Sequence, residues 1–176
     1  MSAAETSGEE RESLDVDVLF VGAGPATLAG ALHLTNLIER HNESVGGGGK
    51  KLDEPAIAVI EKAAAVGNHN LSGAVMDPVA IRELLPDWLE RGAPVEREVS
   101  EDAVYFFTRR GQSKLPVTPP PMNNHGNYVL SLNQFVRWMG EQVESAGVDV
   151  FAGFSGSEVL YDGERVTGVR TGDKGI

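Results

Sequence analysis

Cysteine is absent from this sequence, and several kinds of site are absent with it. Disulfides, thiolate nucleophiles and cysteine-ligated iron–sulfur clusters cannot form from these 176 residues alone. No run of apolar residues is long enough to span a bilayer. Basic residues are few, since 15 Lys and Arg stand against 26 Asp and Glu, for a net charge of -11. That balance disfavours nucleic acid as a partner, because neutralising phosphates needs a basic surface.

The first 14 residues are acidic and polar. They lack the basic and apolar regions of a signal peptide and are too acidic for a transit peptide. We therefore predict a disordered tail over residues 1–14 and a protein made and kept in the cytoplasm. Residues 15–176 are long enough for one domain with a hydrophobic core. The sequence ends at Ile176 without a terminal strand or helix to close a sheet, which predicts that this domain is truncated.

Two glycines connect a short apolar strand to a helix near the start of the domain. Residues 17–21 are predicted as the strand, Gly22 and Gly24 as a tight turn, and Pro25 as the first helical position. Gly22 permits the turn, and Gly24 lets a ligand approach the backbone. Free N–H groups and the helix dipole favour an anion there, so the turn predicts a pyrophosphate site. Thr27 replaces the third glycine of the usual pattern, which predicts a slightly wider gap between helix and strand.

The next elements complete a βαβ unit. The helix is predicted to reach about Arg40, residues 41–55 to form a flexible loop insertion, and residues 56–60 to form a strand buried on both faces. Glu61 ends that strand, where an acidic side chain can accept hydrogen bonds from ribose hydroxyls. It lies 37 positions after Gly24, and subtracting the 15-residue loop leaves 22, close to the usual separation of about 20. The pattern predicts a dinucleotide-binding domain.

The middle of the chain is predicted to contain two further helices. Asp77 and Pro78 match an N-cap and a first helical position, with the helix stopped by Pro86. Ser131 and Gln134 match a capping box. The helix behind them has an apolar face formed by Leu132, Phe135, Val136, Met139 and Val143.

Short strands account for most of the rest. Gly147 is predicted to end the amphipathic helix, and residues 148–151 to form a third parallel strand. Residues 104–108 are predicted as a strand, and 157–161 and 166–171 as a hairpin. The proline-rich residues 116–122 are predicted to be irregular. The fold class is therefore α/β, a Rossmann-like dinucleotide-binding domain with an incomplete parallel sheet and small antiparallel β elements.

The segment after Glu61 favours FAD over NAD. A nicotinamide-binding Rossmann domain usually proceeds directly to its next helix, whereas residues 62–78 form an extended, glycine-containing stretch. Such a stretch can cross over a cofactor, with Ser72 offering a hydroxyl and Gly73 an unhindered N–H. An ordinary loop is the alternative interpretation.

No group of side chains indicates catalysis or metal binding. His69 and His125 are isolated, and each fits a hydrogen-bonding loop residue better than a metal ligand or base. Trp138 and Met139 fit a helix core better than a cofactor contact. We therefore name no catalytic residue and no metal ligand, and expect any redox chemistry to come from the cofactor.

Motifs along nearly the whole domain carry a family resemblance. They are Val21–Ala26, Val59–Lys62, Asn70–Ala74 with Asp77–Pro78, Leu85–Trp88, Gly92–Pro94, Met122–Tyr128 and Trp138–Gln142. Together they resemble the electron transfer flavoprotein–ubiquinone oxidoreductase family from about Asp15 to Ile176. The Leu-Ser-Gly-Ala and Asn-His-Gly-Asn-Tyr segments are far more specific to this family than the glycine turn.

The resemblance implies an FAD enzyme, an electron-transferring-flavoprotein dehydrogenase, that passes electrons from reduced electron transfer flavoprotein to ubiquinone. It implies a peripheral protein at the membrane surface, which we place on the cytoplasmic side of the cell membrane. Members also carry a quinone-binding domain and a 4Fe–4S cluster held by cysteines near the C-terminus. Since this chain has no cysteine, that cluster is expected only in a missing C-terminal part. The chain resembles the N-terminal FAD-binding part, and we expect it to be inactive alone.

The resemblance also implies roles for particular residues. The pyrophosphate would be held by Gly22, Ala23, Gly24, Pro25 and Ala26. Glu61 would bind the adenosine ribose, with Lys62 beside it. The flavin half would lie along Leu71, Ser72 and Gly73, and the backbone near Val159 would approach the adenine.

Two other functions are compatible with these motifs. A related flavoprotein reductase of the geranylgeranyl reductase type, acting on polyprenyl substrates, would share the glycine turn and Glu61, although the segment 124–128 disfavours it. The other is a non-catalytic fragment, with or without bound FAD, because an incomplete sheet exposes an edge and an apolar face.

Overall fold

The computed structural model describes residues 12–45 and 49–172. In chain order its elements are β1 (Val18–Val21), α1 (Pro25–Ser44), β2 (Ile57–Glu61), β3 (Ala74–Met76), α2 (Val79–Leu84), β4 (Val95–Glu98), β5 (Tyr105–Thr108), β6 (Gly111–Lys114), β7 (Tyr128–Leu130), α3 (Leu132–Ser145), β8 (Asp149–Ala152), β9 (Gly156–Asp162) and β10 (Arg165–Thr171). The predictions made for residues 1–11, for glycines 46–48 and for residues 173–176 lie outside the described residues.

A three-stranded parallel sheet, in the order β1-β2-β8, forms the centre of the fold. Val18 pairs with Ile57, and Ala58 pairs with Asp149. The central strand β2 is buried along its first four residues, as its continuous apolar run predicts. The βαβ unit and the third parallel strand are therefore confirmed, and so is the α/β fold class.

Helices α1 and α3 pack against each other and against this sheet. Leu28 from α1, Val59 from β2 and Val136 and Val143 from α3 meet in the core, each with no exposed surface. The predicted apolar face of α3 is confirmed. Gly147 follows this helix at φ +84°, a left-handed conformation that suits glycine and ends the helix.

Helix α1 continues to Ser44, beyond the predicted end at Arg40, and so occupies the first part of the segment predicted as the loop insertion 41–55. The side chain of Asn42 explains part of this extension. Its amide donates to the carbonyl of Leu52 over 3.0 Å and accepts from the N–H of Leu52 over 2.8 Å. The last helical turn thus attaches the returning chain to α1.

The described residues also form three antiparallel elements: a sheet in the order β3-β7-β4, the pair β5-β6 and the hairpin β9-β10. The hairpin was predicted, and β5 coincides with the predicted strand 104–108. The strands β3, β4, β6 and β7 were not predicted. In the described chain, no helix is both long and apolar enough to cross a membrane.

Local details correct three predictions. Ser131 is the N-cap of α3, but in the described structure it makes no side-chain capping bond, so the capping box with Gln134 is not formed. Pro78, not Asp77, is the N-cap of α2, and the Asp77 carboxylate instead accepts from the N–H of Val79 over 3.0 Å. Within the segment predicted as irregular, Pro120–Met122 form a 3-10 turn.

Candidate functional site

The carboxyl ends of β1 and β2 meet the N-terminus of α1 at the glycine turn. Gly22 has a φ of +93°, which only glycine adopts without strain, and its N–H donates to the carbonyl of Ile60 over 2.7 Å. Pro25 opens α1 at its first position, as predicted. The turn therefore aims the start of the helix at the edge of the sheet where ligands bind in open α/β folds.

Backbone N–H groups are presented at this helix start. The first bond along α1 runs from the N–H of Leu28 to the carbonyl of Gly24 over 3.0 Å, and the N–H groups before it have no partner within the helix. A Cβ built on Gly24 would find no described atom within 4 Å, so open space lies directly in front of the turn. Leu28 and Ala31 are fully buried, so α1 packs on the core, while the wider gap expected from Thr27 stays a prediction.

Glu61 joins this turn to the end of β2. Its Oε2 accepts from the N–H of Ala23 over 2.8 Å, and its Oε1 accepts from the N–H of Ala63 over 2.7 Å. The side chain is only 12% exposed. An ionised carboxylate has about four lone-pair positions, so two bonds to the backbone leave capacity for ligand hydroxyls.

A cleft of about 160 Å³ opens beside Glu61. Its lining residues are Val21, Gly22, Ile60, Glu61, Lys62, Phe154, Ser155 and Gly156. The last three follow β8 and are fixed to the end of β2, since the N–H of Phe154 donates to the carbonyl of Glu61 over 2.7 Å. Ligand pockets that enclose a whole small molecule measure roughly 300 Å³ or more, so this cleft fits one end of a dinucleotide.

Phe154, Ser155 and Gly156 were missed in the sequence. The available signal was their place directly after the third parallel strand, with Gly153 and Gly156 on either side of the bend. The backbones approach closely here, since a Cβ at position 156 would lie 3.1 Å from Cγ1 of Val21 and would require that side chain to shift slightly. The close approach lets the start of the hairpin reach the glycine turn.

The remaining predicted site residues lie elsewhere. Leu71 is 82% exposed, Ser72 is exposed, and Gly73 has a φ of +79° at the entrance to β3. Val159 pairs with Val169 within the hairpin and does not line the cleft. The structure thus brings Gly22, Glu61 and Lys62 together, while the contacts predicted for Leu71–Gly73 and Val159 stay predictions.

Comparison with known sequences identifies the relatives of this chain, although no protein-family model matches it. The electron transfer flavoprotein-ubiquinone oxidoreductase, mitochondrial, of Dictyostelium discoideum is 49% identical over 167 residues, covering 94% of this chain and 26% of that protein. The human protein of the same name is 43% identical over 169 residues, with 95% and 26% covered. This chain is homologous to part of the electron transfer flavoprotein–ubiquinone oxidoreductases. It spans about a quarter of their length, and the predicted resemblance is confirmed over that part.

Solved structures show the same fold. The flavin-dependent monooxygenase PieE, in complex with FAD and substrate, superposes with a TM-score of 0.61 at 17% identity, covering 92% of this chain and 27% of that chain. A geranylgeranyl bacteriochlorophyll reductase-like protein from Thermoplasma acidophilum gives 0.59 at 18% identity, with 89% and 34% covered. At such identities the likeness concerns the fold alone, which is that of FAD-binding, Rossmann-type flavoenzymes.

The isolated side chains behave largely as predicted. Nδ1 of His125 lies 3.0 Å from the carbonyl of Ser100, a hydrogen-bonding loop contact. Trp138 and Met139 are buried in the core. His69 stands nearer the site, with its Nδ1 3.9 Å from Oε1 of Glu61. Among the residues that the structure describes, no cluster of acidic and histidine side chains could hold a metal.

One titrating group is held by the segment 124–128, which begins with Asn124. The Asp102 carboxylate accepts from the backbone N–H of Asn124 over 2.8 Å and from its side-chain amide over 3.1 Å. These bonds, the backbone bond first, lower the pKa of Asp102 below its ordinary value because they stabilise the charged form. The Asn-His-Gly-Asn-Tyr segment is thereby attached to residues 99–102.

Proposed function

We propose that this chain binds the ADP half of FAD in an oxidoreductase that passes electrons from reduced electron transfer flavoprotein to ubiquinone. The observation that carries the proposal is the joint placement of the Gly22–Ala26 turn, the Glu61 carboxylate and an adjoining cleft at one edge of the sheet. Helix-start N–H groups suit a pyrophosphate, and a carboxylate suits a ribose.

The residues present fit FAD. Open space in front of Gly24 leaves room for a phosphate at the start of α1, and Glu61 retains lone pairs for ribose hydroxyls. Lys62 lies at the same cleft, where its charge suits a phosphate or the ribose edge. Leu71, Ser72 and Gly73 are proposed to line the flavin half, and the backbone near Val159 to approach the adenine. When bound, the flavin would supply the electron transfer, while these residues bind and orient it.

The donor and the acceptor are proposed from the names of the relatives. Identity of 43% to 49% along almost the whole chain favours this family over a reductase of the geranylgeranyl type, whose structural likeness at 18% identity concerns the fold alone. The chain spans about a quarter of its relatives, so we propose that it does not turn over ubiquinone alone. The 4Fe–4S cluster would need ligands outside this sequence, because it contains no cysteine.

The hairpin β5-β6 supports a contact with the membrane surface. Phe106 and Phe107 are 64% and 69% exposed. Arg109, Arg110 and Lys114 are exposed on the same hairpin, in a chain whose net charge is -11. Aromatic side chains flanked by cations are typical of surfaces that bind the headgroup region of anionic bilayers. The relatives are named as mitochondrial, whereas the cytoplasmic side of the cell membrane remains our prediction for this chain.

Two measurements test the proposed function. The purified chain, incubated with FAD and passed through gel filtration, should keep the flavin absorbance bands. In a steady-state assay with reduced electron transfer flavoprotein and a ubiquinone analogue, the 176-residue chain should show no turnover, whereas a longer protein containing this segment should be active. Ubiquinone turnover by the isolated chain would contradict the proposed inactivity, and a longer protein without flavin would contradict the whole assignment.

A further inference from the structure

A short turn over residues 65–70 separates the two halves of the proposed cofactor site. It follows β2 and Glu61, and it ends just before Leu71, Ser72 and Gly73. The N–H of Asn70 donates to the carbonyl of Gly67 over 2.9 Å and closes the turn. The turn also carries His69, whose Nδ1 lies 3.9 Å from Oε1 of Glu61. Its position therefore affects both the ribose side and the proposed flavin side.

The first turns of α3 hold this turn in place. The side-chain amide of Asn133 donates to the carbonyl of Gly67 over 2.8 Å. One helical turn later, Nη2 of Arg137 donates to Oδ1 of Asn68 over 3.4 Å. Asn133 and Arg137 are four positions apart, so they lie on the same side of the helix.

Close packing reinforces these bonds. Gly67 is buried at a φ of +85°, and a Cβ there would lie only 2.5 Å from the backbone oxygen of Asn133. At Gly140, a Cβ would lie 3.2 Å from Cγ1 of Val66. Gly67 thus allows an approach to the backbone of α3 that a side chain would block, and Gly140 gives Val66 room to pack without displacement.

The segment that follows has little support of its own. Leu71 is 82% exposed, and residues 71–73 precede the three-residue strand β3. Residues 71–73 therefore lie between two fixed points, the Gly67 contact on one side and the pairing of Ala74 with Leu130 on the other. Asn133 supplies the shortest side-chain hydrogen bond at that contact.

We propose that Asn133 is a positioning residue for the cofactor site, acting through Gly67 on the turn 65–70. This inference rests on the proposed FAD site, since it assigns to α3 the task of fixing the chain that crosses the flavin half. Asn133 does not touch the cleft beside Glu61. Its effect on FAD would be indirect, through the orientation of His69, Ser72 and Gly73.

The test compares Asn133→Asp with Asn36→Ala. Aspartate keeps the shape of asparagine and suits the first turn of a helix, but it cannot donate to the Gly67 carbonyl. Asn36 serves as the control, because its amide also donates to a distant backbone carbonyl, that of Leu84 at the end of α2, over 3.4 Å and away from the turn. We expect Asn133→Asp to weaken FAD binding about two- to tenfold and to shift the absorption bands of the bound flavin. Asn36→Ala should leave the affinity for FAD and the flavin absorption bands unchanged, even if it lowers the midpoint of thermal unfolding as much as Asn133→Asp does.

Hydrogen exchange gives a second readout. In Asn133→Asp, amides of residues 65–73 should exchange faster in the ligand-free chain, and they should not do so in Asn36→Ala. Wild-type binding with the same affinity and spectrum in Asn133→Asp would overturn the positioning role alone. Absence of FAD binding by the unsubstituted chain would instead contradict the proposed function on which it rests.

Discussion

The carboxylate of Glu61 accepts a hydrogen bond from the backbone N–H of Ala23, 38 positions earlier in the chain, over 2.8 Å. One side chain at the end of β2 thereby fixes the glycine turn at the end of β1. Its second oxygen accepts a hydrogen bond from the N–H of Ala63, at the start of the next loop. Glu61 therefore orders the site before any ligand arrives, in addition to its proposed contact with ribose.

Glu61→Gln should weaken both the fold and cofactor binding. The neutral amide has one oxygen, so one of the two backbone N–H groups would face an NH2 group in a largely buried position. We expect a loss of about 1 to 3 kcal/mol in the free energy of unfolding and at least about tenfold weaker FAD binding. Urea unfolding and FAD titration measure the two effects. Glu83→Gln, which removes an exposed carboxylate on α2, is the control and should change neither.

Gly24→Ala should weaken FAD binding without lowering the stability of the fold. A Cβ at Gly24 would meet no described atom, and its φ of -81° is ordinary for any residue, so the fold should tolerate it. The methyl group would occupy the space proposed for the pyrophosphate, and FAD affinity should fall at least about tenfold. The midpoint of thermal unfolding should change little.

The matched control is Gly147→Ala. Gly147 also has open space around it, but its φ of +84° disfavours alanine. This variant should lose roughly 1 kcal/mol of stability and keep its affinity for FAD. If Gly24→Ala bound FAD as tightly as the parent chain, the ligand would not approach at this turn.

At low pH, protonation of Asp102 should weaken its hydrogen bonds to Asn124 and so destabilise the segment 124–128. Hydrogen bonds from Asn124 lower the pKa of Asp102 in the folded state. The stabilisation is therefore complete above the unfolded-state pKa of about 4 and is lost as pH falls through the lower folded-state pKa. Thermal unfolding of Asp102→Asn should depend less on pH between about 5 and 2 than that of the parent chain. The exposed Asp53→Asn serves as control, and an unchanged pH profile in Asp102→Asn would refute this account.

The hairpin β5-β6, which carries Phe106 and Phe107, should mediate membrane binding. We expect the chain to co-sediment with vesicles of phosphatidylcholine and phosphatidylglycerol, and the double substitution Phe106→Ser and Phe107→Ser to abolish this. Tyr161→Ser removes an exposed aromatic ring from the other hairpin and should leave binding intact. Equal vesicle binding by the double variant and the parent chain would exclude this hairpin as the contact.

The parallel core could be predicted because its signals are local. A continuous apolar run marks β2, the glycine turn marks the start of α1, and spaced apolar residues mark the buried face of α3. Each signal depends on residues that are close in sequence. The same locality placed Gly22 and Glu61 in one site, since both follow strands of a parallel sheet.

The features that were missed depend on distant partners. The strand β7 pairs Val129 with Val75, 54 positions away, and neither three-residue strand has a period that could be recognised alone. The contact between Asn133 and Gly67 spans 66 positions. The end of α1 was misjudged because Asn42 finds its partner, Leu52, only after the loop has returned. Tertiary contacts decided each of these positions over local propensity.

The most direct test of the proposed site is an equilibrium titration of the purified chain with FAD, ADP and FMN. The glycine turn, Glu61 and the cleft beside it are all proposed to bind the ADP half of FAD, and FMN lacks the adenosine part of that half. We predict that FAD and ADP bind and compete with each other, and that FMN does not bind measurably. Binding of FMN as tight as that of FAD, or failure of ADP to displace FAD, would contradict the assignment of this site.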